Sequence, residues 1–119
     1  MLMGLGSLAT IGAQQPANLA IAVIDNERYG ETGMQATHTA DGVDLARVAA
    51  ACRFRVARQV RSRAGVDALR SAIHAARGPL FAQIKVVAEK VPLVLPPRDG
   101  GLLKARFRKA LLGDGADLD

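Results

Sequence analysis

Residues 19–24 read LAIAVI, an apolar run that stops abruptly at the polar sequence DNERYGETG of residues 25–33. The run is short, β-branched near its end and bounded by turn-forming residues, which is typical of a strand buried on both faces of a parallel sheet. In open α/β sheets, ligands bind beyond the carboxyl ends of the strands. We therefore expect a functional site in the polar loop that follows residue 24.

Four helices are predicted from apolar residues at helical spacing. Their inner positions are Leu2, Leu5, Leu8, Ala9 and Gly12; Leu45, Val48, Ala49 and Cys52; Val66, Leu69, Ile73 and Ala76; and Leu103, Phe107 and Leu111. Asp41, with Asp44 three residues later, is the predicted N-cap of the second helix, and Asp99 is that of the fourth. Gly78 and Pro79 are predicted to close the third.

Two further strands are predicted over residues 54–60 (FRVARQV) and 80–87 (LFAQIKVV). The order α-β-α-β-α-β-α predicts a three-layer α/β fold, in which helices flank a mostly parallel sheet. We expect one domain over residues 1–112, including a proline-rich extended connector at residues 91–97, and a flexible tail over residues 113–119.

Composition and charge narrow the class of protein. The chain has 119 residues, of which 50% are apolar and 23% charged, as in an ordinary globular domain. Its net charge is +5, and its densest basic stretch, residues 53–63, reads RFRVARQVRSR. Because apolar residues alternate with these arginines and no aromatic platform is present, we interpret the stretch as a half-buried strand rather than a nucleic-acid-binding surface.

Cysteine content and the N-terminal residues indicate the cellular setting. Cys52 is the only cysteine, so the chain has no internal disulfide, and we expect Cys52 to fill the core of a cytoplasmic protein. The apolar residues 1–13 lack the basic leading region of a signal peptide, since Arg28 is the first basic residue. They are also too few to span a bilayer, so a buried helix and no membrane association are expected.

The polar loop is rich in hard oxygen donors, which suit Mg²⁺ or Ca²⁺. The donors are the side chains of Asp25, Asn26, Glu27 and Glu31 together with exposed carbonyl groups. Gly30 and Gly33 permit close approach of the backbone to a ligand. Mg²⁺ usually completes its octahedron with phosphate oxygens and water. From spacing alone, a plain polar loop and a Mg²⁺-phosphate site both remain open.

The loop and its surroundings resemble the thiamine-diphosphate-dependent decarboxylases. Residues 23–33, VIDNERYGETG, are similar to the second half of that family's cofactor motif, which begins with Gly-Asp-Gly and ends in Asn-Asn at a strand terminus. Residues 31–39, ETGMQATHT, and residues 92–112, PLVLPPRDGGLLKARFRKALL, look like the small subunits that act on sulfopyruvate or phosphonopyruvate. The resemblance covers nearly the whole chain and implies the thiamine-diphosphate-binding fold.

The resemblance also implies cofactors and ligands. Thiamine diphosphate and Mg²⁺ would be the cofactors, with Asn26 binding Mg²⁺ through its side chain and Arg28 through its backbone carbonyl. Three residues would approach the diphosphate: Gly30, Glu31 and Thr32.

Other polar residues of this region have two interpretations. His38 would face the substrate as a donor or proton relay, and a locally bonded loop histidine is the alternative. Glu27 and Glu31 could form an acid/base pair, but loop charges that pair with Arg28 are the favoured interpretation. Asp25 can fix the turn through local backbone bonds.

The Gly-Asp-Gly half of the motif does not precede Asn26 in this chain. Its Asp would fall just before Met1, so we expect an N-terminally truncated member of the family that lacks the first strand of the fold. The sequence Gly113-Asp114-Gly115 follows the last helix and is not expected to bind metal. The pyrimidine-binding domain would come from another subunit, and an oligomer is expected.

The predicted function is therefore the diphosphate- and Mg²⁺-binding part of a thiamine-diphosphate-dependent carboxy-lyase. Its substrate would be a small 2-oxo acid of the sulfopyruvate or phosphonopyruvate type, its partner the pyrimidine-binding subunit, and no nucleic acid would bind. This chain alone is expected to be inactive. The alternatives are a non-catalytic nucleotide-binding α/β module, which the lack of a Gly-rich phosphate loop disfavours, and an Arg-rich polyanion-binding protein.

Overall fold

The computed structural model describes residues 2–75, 77–90, 92 and 94–113. Its elements are, in chain order, α1 (Gly6–Gln14), β1 (Ala20–Asp25), β2 (Arg28–Tyr29), β3 (Gln35–Ala36), α2 (Leu45–Ala51), β4 (Val56–Val60), α3 (Arg63–His74), β5 (Leu80–Lys85) and α4 (Gly100–Leu112). Short 3₁₀ helices at Leu2–Gly4 and Gly30–Thr32 complete them. The predicted order of helices and strands is confirmed, and the β2–β3 pair is an addition.

A parallel sheet with the order β1-β5-β4 forms the centre of the molecule. Its register places Asp25 opposite Lys85, and Val60 opposite Ile84. The strands run in the same direction, so their carboxyl ends meet at one edge of the sheet. There, β2 and β3 form a small antiparallel pair with Arg28 opposite Ala36.

Helices cover the two faces of this sheet, because side chains alternate between faces along a strand. Phe81 packs with α1 and α2, and its ring meets that of Phe54 edge-on with centroids 6.0 Å apart. The neighbouring residues of β5, Leu80 and Ala82, pack instead against Leu69 of α3. The three-layer α/β prediction is confirmed and is consistent with the thiamine-diphosphate-binding fold.

The packing of α1 on α2 depends on a glycine. A Cβ atom built on Gly12 would lie 1.6 Å from the backbone oxygen of Cys52, so a larger residue does not fit there. Gln15 ends α1 and donates from Nε2 to the carbonyl oxygens of Gly12, at 2.6 Å, and Arg53, at 2.9 Å. These bonds join the end of α1 to the end of α2.

The basic stretch and the cysteine occupy the predicted environments. Phe54 and Val60 are buried, while the arginines of the stretch are exposed: Arg53, Arg55, Arg58, Arg61 and Arg63. The half-buried strand with a solvated basic face is therefore confirmed. Cys52 is half-buried and packs against the core cluster on the α1–α2 side of the sheet.

The prediction that β1 is buried on both faces is wrong for the described chain. Ala20, Ala22 and Ile24 face outward, and Ile24 is 65% exposed. The physical reason is that β1 is an edge strand of the described sheet, while the apolar side of α3 packs over residues of β5 and β4. The apolar run therefore predicted the strand but not what covers its outer face.

The predicted start of the second helix is also wrong. Asp44, not Asp41, is the N-cap of α2, and its Oδ1 accepts a hydrogen bond from the Arg47 N–H at 3.0 Å. Asp41 belongs to the preceding turn, where its N–H donates to the carbonyl oxygen of His38 at 3.1 Å. Since this turn continues through Val43, whose N–H donates to the same oxygen, the helix cannot begin earlier.

The inner faces of the last two helices are smaller than predicted. In α3, Leu69 is buried, but Val66 is 41% and Ile73 36% exposed, so these two residues are not core positions. Ala76, like the tail beyond Gly113 with most of its Gly-Asp-Gly sequence, lies outside the described residues.

The predicted cap of α4 is confirmed, since Asp99 Oδ1 accepts from the Leu102 N–H at 3.1 Å. Its stripe of Leu103, Phe107 and Leu111 is exposed. Within the described part of the chain, no helix combines the length and apolar character needed to cross a membrane.

Candidate functional site at the carboxyl edge of the sheet

A buried carboxylate organises the carboxyl edge of the sheet. Asp25, at the end of β1, is only 7% exposed. Its Oδ1 accepts hydrogen bonds from the Thr39 hydroxyl at 2.7 Å and the Glu27 N–H at 3.0 Å. Its Oδ2 accepts from Gln83 Nε2 at 2.6 Å and lies 2.9 Å from Lys85 Nζ. Both oxygens are therefore held by donors from several segments of the chain.

These contacts keep both members of the Asp25–Lys85 pair charged. Burial raises the pKa of Asp25, but the bonds from Lys85, Gln83, Thr39 and the Glu27 N–H outweigh burial and lower the pKa to about 2. Burial lowers the pKa of Lys85, but its bonds to Glu27 and Asp25 outweigh burial and raise the pKa above the ordinary value. At neutral pH the site therefore contains an ion pair rather than a proton donor of intermediate pKa.

Gln83 connects this carboxylate to the start of α2. Its Oε1 accepts from the backbone N–H groups of Leu45, at 3.1 Å, and Ala46, at 3.4 Å, and from Gln59 Nε2 at 3.3 Å. The side chain is completely buried, and its polar atoms are paired across three elements. Gln83 and Lys85 are not among the site residues predicted from the sequence. The available signal is the occurrence of two polar residues within the apolar strand LFAQIKVV.

The loop after Asp25 begins with a tight turn. Asn26 Oδ1 accepts a hydrogen bond from the Arg28 N–H at 3.0 Å, so the two residues predicted to bind the metal belong to one turn. Glu27, between them, has a positive φ of 62°. Its carbonyl oxygen accepts from the Thr37 N–H at 3.0 Å and from Arg28 Nη1 at 3.1 Å. The turn is therefore fixed both to β1 and to the segment after β3.

Of the predicted roles of the loop charges, one is confirmed and one is wrong. The role of Asp25 in fixing the turn is confirmed by its bond from the Glu27 N–H. The predicted pairing of Glu27 with Arg28 is wrong, because the Glu27 carboxylate binds Lys85 Nζ and the Arg28 side chain binds the Glu27 carbonyl. Glu31 is exposed in the short 3₁₀ helix.

A cleft of about 480 Å³ opens beside the turn and contains part of the predicted diphosphate site. It is lined by Asn26, Gly30, Glu31, Gly33, Met34, Glu89 and Lys90. Thr32 does not line it; this exposed residue donates from its hydroxyl to Gln35 Oε1 at 3.0 Å. The cleft also contains a cation that is not predicted from the sequence, Lys90.

His38 lies beside a different pocket. This pocket, of about 290 Å³, is mainly apolar and is lined by Leu2, Met3, Leu5, Tyr29, His38 and Val43. A smaller cleft of about 180 Å³ includes Asn26, Arg28 and Tyr29 among its lining residues. Tyr29 lines both pockets and therefore links the surroundings of His38 to those of the turn, with His38 in the first pocket and Asn26 in the second.

The donor set fits a metal that takes few ligands from protein. Among the described residues, no group of three or more His, Cys, Asp or Glu side chains could hold a metal ion. Asn26 Oδ1 accepts the Arg28 N–H and retains a second lone pair. Amide and carbonyl oxygens beside a cleft lined by Glu31, Glu89 and Lys90 suit Mg²⁺ whose other ligands are phosphate oxygens and water.

Together, the fold and the turn define an α/β protein with an oxygen-rich loop at the carboxyl edge of a parallel sheet. Comparison with known proteins gives a more particular result. The chain is 36% identical over 117 residues to the sulfopyruvate decarboxylase subunit beta of Methanothermobacter thermautotrophicus, an alignment that covers 98% of this chain and 60% of that protein. It is therefore a homologue of sulfopyruvate decarboxylase beta subunits, and the resemblance seen in the sequence is confirmed.

Two further relatives agree. The Methanocaldococcus jannaschii sulfopyruvate decarboxylase subunit beta is 48% identical over 52 residues, which are 44% of this chain and 28% of that protein. The phosphonopyruvate decarboxylase of Streptomyces viridochromogenes is 42% identical over 87 residues, or 72% of this chain and 21% of that protein. The chain thus matches less than two thirds of the length of these relatives. No family model and no solved structure matches it.

Proposed function

We propose that this chain is the diphosphate- and Mg²⁺-binding part of a thiamine-diphosphate-dependent decarboxylase. The observation that carries the proposal is the Asn26–Arg28 turn, which lies at the end of a parallel strand and beside the cleft of about 480 Å³. Thiamine diphosphate, when bound, supplies the electron sink that decarboxylation of a 2-oxo acid requires. The names of the relatives support sulfopyruvate or phosphonopyruvate as the substrate class.

The residues of the turn and cleft have distinct proposed roles. Asn26 Oδ1 and the Arg28 carbonyl bind Mg²⁺. The backbone of Gly30 and Glu31, which line the cleft, approaches the diphosphate, and Thr32 follows them in the short 3₁₀ helix outside the lining. Lys90 is the cation that lines the same cleft, beside the carboxylates of Glu31 and Glu89, and its ammonium group is proposed to contact the diphosphate.

His38 is proposed to face the substrate. The pocket beside it is mainly apolar, and Tyr29 lines both this pocket and the cleft beside Asn26. An imidazole in such a place can donate a hydrogen bond to, or exchange a proton with, a substrate oxygen.

The complete enzyme is proposed to contain a second subunit. Two of the relatives are named as beta subunits, and that naming implies a partner in the same enzyme. We propose that the partner supplies the pyrimidine-binding domain and that the cytoplasmic enzyme is an oligomer. The test is to purify this chain with the protein encoded beside its gene, titrate the pair with thiamine diphosphate and Mg²⁺, and assay decarboxylation of sulfopyruvate and phosphonopyruvate. The proposal is refuted if the complete pair neither binds thiamine diphosphate nor decarboxylates either substrate.

Asn26→Ala is expected to weaken Mg²⁺-dependent binding of thiamine diphosphate about tenfold, since one metal ligand is lost and about 1.4 kcal/mol corresponds to that factor. Titration calorimetry at fixed Mg²⁺ measures the change. The matched control is Asn18→Ala. Asn18 is exposed and precedes the start of β1, so this variant is expected to bind like the wild type. Equal affinity of the two variants would remove Asn26 from the metal site.

A further inference from the structure

The turn between the two proposed metal ligands contains a residue in an unfavourable conformation. Glu27 has a φ of 62°, in the left-handed region that residues with a Cβ rarely adopt. Such a conformation persists where the surroundings over-determine it. Here the N–H of Glu27 donates to Asp25, its carbonyl accepts from Thr37, and its carboxylate accepts from Lys85. The last of these contacts is the one that ties the side chain to the sheet.

Lys85 is well placed to hold this residue. It is the last residue of β5, the central strand, and its side chain is only 11% exposed. Its Nζ lies 2.9 Å from Asp25 Oδ2 and 2.5 Å from Glu27 Oε1. The contact with Asp25 is shielded from water, which strengthens an ion pair, and the same ammonium group reaches the carboxylate of Glu27 in the turn.

We propose that Lys85 is a positioning residue, which holds Glu27 and thereby sets the geometry of Asn26 and Arg28 for the Mg²⁺-diphosphate group. This inference rests on the proposed function for what the turn binds. It extends that function to a residue 58 positions away from Glu27 in the sequence, whose ammonium group binds the carboxylates of Asp25 and Glu27.

Two other roles fit the contacts less well. Lys85 also lines a polar cleft of about 430 Å³ with Arg47 and Arg61, where it could attract an anion. Its ammonium group, however, is already bound by two carboxylates. The contact with the buried Asp25 would be enough for a purely structural role. Lys85 also binds Glu27, whose side chain is 40% exposed and belongs to the turn. The contact with Glu27 is the part that a positioning role explains.

The experiment compares Lys85→Met with Lys85→Arg, which retains the charge and donors, and with Lys104→Met, an exposed lysine of α4, as control. Amide hydrogen exchange of the ligand-free chain is followed in the turn, at residues 27–37, and in the central strand, at Phe81 and Ala82. Lys85→Met is expected to accelerate exchange in the turn at least tenfold more than in the strand. Lys85→Arg should restore most of the protection, and Lys104→Met should resemble the wild type.

Binding supplies a second measurement. Titration of the chain purified with its partner is expected to show about tenfold weaker Mg²⁺-dependent thiamine diphosphate binding for Lys85→Met, as for other residues that orient metal ligands, with recovery in Lys85→Arg. Wild-type affinity in Lys85→Met, or an equal acceleration of exchange in turn and strand, would overturn the positioning role.

Two arms keep the test decisive. If Lys85→Met does not fold, Glu27→Gln leaves the Lys85–Asp25 pair intact and weakens only the contact with the turn. Glu27→Gln is expected to accelerate amide exchange in the turn and to weaken cofactor binding, as Lys85→Met does. Wild-type exchange together with wild-type affinity would overturn the inference. If the wild-type pair does not bind the cofactor, the proposed function fails, while the exchange measurement still decides whether Lys85 holds the turn.

Discussion

Gly12→Ala is expected to lower the free energy of unfolding by about 3 kcal/mol, the upper end of the usual range for overpacking. The added Cβ would lie 1.6 Å from the carbonyl oxygen of Cys52 and 2.8 Å from its carbonyl carbon. Both are backbone atoms, so no flexible side chain can move aside, and α1 must shift away from α2. The shift would also disturb Leu8, which is completely buried in the core against these helices.

Gly6→Ala is the matched control because it makes the same chemical change in the same helix. A Cβ on Gly6 meets nothing within 4 Å. Alanine there is expected to leave stability unchanged or raise it by up to about 1 kcal/mol, since glycine is the poorer helix former. Urea unfolding followed by circular dichroism measures both variants. Equal midpoints for Gly6→Ala and Gly12→Ala would show that the two helices do not need their close approach.

The contrast between these glycines shows which features of the fold are readable from the sequence. Apolar spacing predicts α1, because the periodicity of a helix is local information. The contact of Gly12 with Cys52 joins residues 40 positions apart, and it exists only once α1 and α2 lie together. The prediction therefore includes Gly12 on the inner face of α1, but not the reason that a glycine is required.

The start of α2 cannot be read from the sequence for a related reason. Asp41 and Asp44 are both good N-caps by residue type. The choice between them depends on the turn before α2, where Asp41 and Val43 donate to the His38 carbonyl, and on Gln83, which accepts from the first N–H groups of the helix. Gln83 comes from β5, so the decisive partner is distant in the sequence.

In the candidate site, too, features that are local in the sequence can be predicted and contacts between distant residues cannot. Asp25 and Asn26 can be predicted because a strand end is visible locally, and ligands favour that edge of an α/β sheet. Lys85 cannot be assigned as the partner of Glu27 from spacing, since the parallel register that brings it there forms only in the folded sheet. Spacing alone predicts that Glu27 pairs with Arg28, the adjacent cation in the sequence. That prediction is wrong because the Arg28 guanidinium binds a backbone oxygen.

Asp25→Ala is expected to have a second large effect, lowering the free energy of unfolding by about 3 kcal/mol. The substitution removes the acceptor for the Thr39 hydroxyl, the Gln83 amide and one side of the Lys85 ammonium group. Donors that lose their partner in a buried site cost more than the net value of the bonds themselves. Urea unfolding at neutral pH measures the loss.

The acid limb of the stability curve tests whether charge, rather than volume, causes this effect. The folded-state pKa of Asp25 is about 2, below the ordinary 3.8. Its contribution is therefore fully present above the unfolded-state pKa and is lost as pH falls through the folded-state pKa. The shift corresponds to a contribution on the order of 2 kcal/mol. Asp25→Asn keeps the size of the side chain and should be less stable than the wild type at neutral pH.

The difference between the wild type and Asp25→Asn is then expected to shrink as pH falls from 3.8 to about 2, because protonation removes the same charge from the wild type. Asp67→Asn, an exposed carboxylate of α3, controls for general acid destabilisation and should follow the wild-type curve. If the difference in free energy of unfolding between wild type and Asp25→Asn stays constant over this interval, the shape of the Asp25 side chain and not its charge is what stabilises the fold. A narrowing gap would identify the Asp25 charge as what joins β1, β5 and the loop that follows β1.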